Sequence, residues 1–270
     1  MTFTRRNIPI RCCLVLLAAC GGGGGGSSGN AAASKTFNYG AAQPPTAQEQ
    51  AAAVSTQSVV SDTAAFGSAP DGAKAVVIVG MASDLAASAL GGALIPGRSL
   101  PGTGLRQARS TATVADCATK SGNTITFTNC TETESGITVT VNGSVTAKNG
   151  TVSWDVTAVV SGTDSGVTVN ATLHESGSLT VTATKVTGNA VLDLSGSVSN
   201  GQKTVNFGVA VAAVVDLTYQ SNPACITAGT LEVKRVWTQV PEGASGSEFA
   251  NAGVKLTWSS CNTFVVARSQ

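Results

Sequence analysis

Ile137-Thr138-Val139-Thr140-Val141-Asn142 is the stretch that decides the fold. Its apolar side chains fall on every second residue and its hydroxyls on the residues between, the period of a half-buried strand rather than of a helix. The same alternation returns in Val152, Trp154, Val156 and Ala158, in Val167, Val169, Ala171 and Leu173, and in Leu179, Val181 and Ala183. It continues through Leu192 and Leu194, then Val205, Phe207, Val209 and Val211, with three later strands expected over 231–240, 254–260 and 264–267. Threonine supplies twenty of the ninety residues from 111 to 200, as suits a pleated surface with one face in water.

Glycines punctuate these runs at positions 122, 136, 150, 166, 177, 188 and 201. Each interval fits one strand and a tight turn, so consecutive strands are predicted to be antiparallel neighbours, about ten or eleven in all. A meander of that length must cover its apolar face, by curling toward a closed or half-open barrel or by laying helices across itself. The expected class is α+β: a large curved antiparallel meander packed against one or two N-terminal helices. A transmembrane barrel is disfavoured, because aromatic girdles cannot be assembled from Phe127, Trp154, Phe207 and Tyr219.

Working outward from the β region, residues 44–110 read as a helical segment and a loop. Thr46 and Glu49 have the spacing of a capping box, which predicts a helix over about 47–60. Residues 73–95 are apolar nearly all round, interrupted mainly by Lys74 and Asp84; this reads as a buried helix, since Asp84 would be costly at the centre of a bilayer. Pro96, Gly97, Pro101, Gly102 and Gly104 then form a loop.

The N-terminus is the most specific part of the sequence. Arg5, Arg6 and Arg11 precede a short apolar run ending in Leu17-Ala18-Ala19-Cys20, a basic, apolar, small-residue series of the secretory type. Leu17-Ala18-Ala19-Cys20 resembles the lipobox of bacterial lipoproteins. That resemblance implies a signal peptide over residues 1–19, cleavage before Cys20, diacylglyceryl modification of its thiol and acylation of its new amino group. It also implies a membrane partner through the lipid anchor, and a cell-envelope location. Gly21 after the cysteine resembles outer-membrane cargo. Residues 21–43, opening with six glycines, read as a flexible tether with an r.m.s. reach on the order of 25 Å.

Seven cysteines are odd for a disulfide framework. The signal removes Cys12 and Cys13 and lipidation occupies Cys20, leaving Cys117, Cys130, Cys225 and Cys261 for an oxidising compartment. Of three connectivities, Cys117 with Cys130 and Cys225 with Cys261 is favoured, because the first pair flanks one turn and would staple a hairpin. A zinc site is a poor competitor, with no Cys-x-x-Cys and a single histidine, His174. The formal charge of +1 becomes −2 once three signal arginines are gone, so no nucleic-acid partner is expected.

No catalytic constellation stands out, and no cofactor or metal is expected. His174 shares a face with Thr168, Asn170 and Thr172 and has Glu175 beside it; it reads as an exposed residue at a strand end rather than a general base. Asp155 and Asp193 are a conceivable glycosidase dyad only if strand pairing brings them together, and surface acids are the commoner case. The sequence therefore favours a non-enzymatic envelope lipoprotein with a structural or protein-binding role. Two alternatives stand beside it: a carrier of lipid or another apolar ligand, and a cell-surface adhesion module.

Overall fold

The computed structural model describes residues 31–50 apart from 48, residue 53, and residues 117–270 apart from 135, 165, 222–223, 247–248 and 262. The signal peptide expected over residues 1–19, Cys20, the apolar run 73–95 and most of the helix expected over 47–60 lie outside the described residues.

Ten strands form one antiparallel sheet in strict sequence order: β1 (Ala118–Ser121), β2 (Thr124–Glu134), β3 (Ile137–Lys148), β4 (Thr151–Asp164), β5 (Val167–Val181), β6 (Lys185–Ser199), β7 (Thr204–Ser221), β8 (Ala224–Gln239), β9 (Ala252–Ser260) and β10 (Thr263–Arg268). The sheet is open, with β1 at one edge and β10 at the other. Strand length rises from 4 residues in β1 to 18 in β7 and falls to 6 in β10. The described helix is short: α1 (Ala31–Ser34).

The threonine content has a direct structural use. Thr124 and Thr146, Thr133 and Thr138, Thr151 and Thr180, and Thr163 and Thr168 face each other across strands with hydroxyls 2.8–2.9 Å apart. Such cross-strand pairs fix register on the watery face while the β-branched carbon favours the extended backbone. Asn149 and Gly150 make the two-residue loop between β3 and β4, both at positive φ.

Two of the expected turns are absent. Gly177 lies inside β5 and Gly188 inside β6, so the two predicted strands around 167–173 and 179–183 are one strand of 15 residues. Gly177 is there for close approach. A Cβ on it would sit 2.5 Å from the Asn189 carbonyl oxygen and 2.6 Å from Cζ2 of Trp154, whose indole covers it from the neighbouring strand. Sequence spacing could not separate a glycine that turns the chain from one that makes room for a ring.

Register places the apolar half of every strand on one face. One lateral row runs Ile125, Val145, Trp154, Gly177, Ala190, Ala213, Val233, Val254. The main core draws on this face from β3 to β10 and includes Ala53 from the segment after Thr46. We call it the core face, and the hydroxyl-rich side the outer face. β7 is apolar on both: Val211, Ala213 and Val215 join the main core, while Ala210 and Ala212 on the outer face pack with Val191 against Ala32 of α1.

Residues 31–43, expected to be part of a flexible tether, are instead laid against the sheet. Ala32 is fully buried on β7 and β8, Phe37 and Tyr39 stand over Gly253 of β9, and Gln43 exchanges two 2.9 Å backbone hydrogen bonds with Val266 of β10. The chain then turns onto the core face. Thr46 and Glu49 form the expected capping box: Thr46 N–H donates to Glu49 Oε2 at 2.7 Å, and Glu49 N–H donates to Thr46 Oγ1 at 3.3 Å.

Both cysteine pairs are joined as the sequence favoured, Cys117 to Cys130 and Cys225 to Cys261, with Cα separations of 5.1 and 5.4 Å. The first fastens the chain ahead of β1 to β2. The second fastens the start of β8 to the β9–β10 turn.

Candidate functional site

His174 is in the middle of β5, not at a strand end, because Gly177 does not end the strand. It lies on the outer face opposite Thr157 of β4 and Asp193 of β6. Its Nε2 is 3.0 Å from Asp155 Oδ1, and both side chains are substantially exposed. Asp155 and Asp193 flank β5 on the same face, so the sheet does gather the three residues considered for chemistry. Asp193 is buried there and Asp155 is not. The arrangement orients the imidazole by one solvated carboxylate, an exposed pairing that contributes at most about 1 kcal/mol.

Glu175, adjacent in sequence, points the other way. It is almost wholly buried on the core face, in the row Val156, Glu175, Leu192, Val211, Arg235, Ala252. Arg235 of the same row is also buried; its Nη2 donates to the Ala250 carbonyl at 2.9 Å, and its guanidinium carbon stands 5.9 Å from the centre of the Trp237 ring. One row away, the buried Trp154 Nε1–H has no hydrogen-bond partner among the described residues. Among the described residues the core face thus carries Glu175, Arg235 and the Trp154 indole N–H as buried polar groups set in the apolar field between β4 and β8. Sequence reading missed them as a set, although the signal was present: counting by twos from Val167 reaches Glu175, and from Leu231 reaches Arg235.

A third arrangement holds the N-terminal strap. Tyr39 Oη–H donates to Glu232 Oε1 at 2.6 Å, and Lys234 Nζ lies 3.7 Å from the same oxygen. Burial, and then the Glu232 carboxylate beside it, push the Tyr39 phenol well above its ordinary value, so it stays a donor throughout the physiological range. At the edge of the sheet, Arg268 forks onto Glu49, with Nε 2.9 Å from Oε1 and Nη2 on Oε2. Burial raises the Glu49 carboxyl, but the Arg268 and Thr46 hydrogen bonds more than reverse this and hold it below the ordinary glutamate value.

Among the described residues no group of three or more His, Cys, Asp or Glu side chains is placed to hold a metal ion, and no helix is long and apolar enough to cross a membrane. Of the residues singled out in the sequence, Cys20 lies outside the described part. No family model, curated protein or solved structure matches the chain.

Proposed function

We propose that the protein is a lipid-anchored envelope protein, attached through Cys20, whose β domain is a non-enzymatic binding or structural scaffold. The observation that carries this reading is the way the anchor-proximal chain is built into the sheet. Small residues on β7 seat Ala32, Gly253 makes room for Phe37 and Tyr39, and Gln43 extends the sheet beyond β10. A domain that grips the root of its own tether is suited to bearing load between a membrane and a partner.

In this reading the described part of segment 44–110 lies at the core face. Ala53 enters the core from the β10 side, and the chain returns at Cys117, bonded to β2 at the far side.

The anchor is tested by fractionation of the full chain. Cys20→Ser should move the protein from the membrane to the soluble fraction and remove the acyl mass from its N-terminal peptide. The scaffold role is tested with a broad hydrolase panel on the purified mature protein. Turnover abolished by His174→Ala would overturn it.

The buried Trp154 N–H beside Gly177 and Ala190 favours a second reading, a carrier of an apolar ligand that bears a hydrogen-bond acceptor. Native mass spectrometry after extraction in mild detergent should then show a bound lipid. Its absence, together with no uptake of an apolar fluorescent probe, would sink the carrier.

A further inference from the structure

The root of the tether has a fixed address on the molecule. Coming from the N-terminus, the first described residues, Ala31 and Ala32, are seated on the outer face at Ala210 and Ala212 of β7 and Val236 of β8. From there the strap crosses β9, where a Cβ on Gly253 would lie 2.7 Å from Tyr39 Oη and 3.1 Å from the Phe37 ring. It is pinned to β8 by the Tyr39–Glu232 hydrogen bond, and reaches the β10 edge at Gln43. Only then does the chain pass to the core face, at Thr46 and Glu49. Whatever pulls on residue 30 therefore pulls on the middle of the outer face.

Ten residues, 21–30, separate Cys20 from Ala31. Fully extended they span at most ~35 Å. If Cys20 carries the acyl chains, Ala31 cannot stand farther from the lipid surface than that upper limit. The core face lies behind the sheet from this point, with the Thr46 helical turn on it.

We propose that the outer face of β6–β8, around Ala32 and Val214, is the surface this domain turns to the headgroups of its anchoring bilayer, and that the core-face side is turned away from it. The inference rests on the acylation of Cys20 proposed above. Val214 is nearly half exposed on this face, two residues along β7 from the Ala212 seat, and Gln50 is exposed on the core-face side. These two positions report the two orientations.

The test uses full-length acylated protein in phosphatidylcholine vesicles containing a headgroup-labelled acceptor lipid, with a donor dye at Val214→Cys or at Gln50→Cys. Energy transfer from position 214 should exceed that from position 50 by at least twofold. Inserting twenty Gly/Ser residues after Gly26 should bring the two values together without loss of vesicle binding. Equal transfer from both positions with the native tether, or stronger transfer from position 50, would overturn the proposal. The intact mass of the N-terminal peptide separates this failure from the other one: a chain without acyl groups overturns the anchoring reading itself, and the orientation with it. Should one cysteine variant fail to fold, Lys185 and Thr46 replace the two positions, on the outer face and at the helix start respectively.

Discussion

Glu49 shows how much a single side chain joins. Its backbone and one oxygen complete the capping box with Thr46, while both oxygens receive the Arg268 fork from 219 positions away. The capping box was legible from three-residue spacing, but no local pattern could have named Arg268. Because the folded carboxyl titrates below its unfolded value, its stabilisation is complete above the unfolded pKa of about 4.3 and is lost as pH falls through the folded one. Glu49→Gln should therefore cost about 1–2 kcal/mol near neutrality. The difference from the parent should shrink below about pH 4, as measured by urea denaturation across pH. Trp154 and Gly177 are a second coupled pair. Gly177→Val should destabilise by about 1–3 kcal/mol, a loss of several degrees in Tm. Adding Trp154→Leu should recover only part of it, since the Asn189 carbonyl is as close as the indole.

At the scale of elements, the strands were legible and their ends less so. Alternation of apolar and hydroxyl residues identified the core face correctly from Ile137 to Val211 because side chains in a strand have a strict period of two. The same rule, followed one step beyond Leu173, would have turned Glu175 inward; its charge masked the parity. What composition could not show was the strap, whose Ala31–Ser34 and Phe37 look like linker until Ala210, Ala212 and Gly253 are brought beneath them by strand pairing. Tyr39→Phe should loosen this segment by about 1 kcal/mol, seen as faster amide exchange and proteolysis within 31–43 while the sheet remains protected. The disulfides separate along the same lines. On loop-entropy grounds the Cys225–Cys261 link, spanning 36 positions, stabilises by about 4 kcal/mol, and the Cys117–Cys130 link, spanning 13, by about 3. Replacing each pair with alanine and comparing denaturation midpoints should give that order.

Across the whole molecule, the sheet is widest in the middle and short at its margins. Amide exchange should be slowest in β6–β8 and fastest in β1 and β2 beyond Phe127, where pairing with β1 ends. The meander was readable as a whole because each strand pairs only with its sequence neighbours. The candidate sites were not, because they depend on which of two faces a residue takes and on contacts between the two ends of the chain.

That last dependence sets an order of assembly. Nine hairpin pairings can form one after another as the chain is delivered from its N-terminal side, each with little loop to close. The strap's backbone pairing cannot: Tyr39 bridges Ser269, Gly40 bonds Arg268, and Asn38 receives the N–H of Gln270. The backbone bonds of residues 38–40 thus wait for residues 268–270, after β7 and β8 have already offered Ala32 its seat and Tyr39 the Glu232 carboxylate. A chain shortened by residues 268–270 should keep its sheet by circular dichroism and lose amide protection around residues 38–40, where the backbone partners are removed.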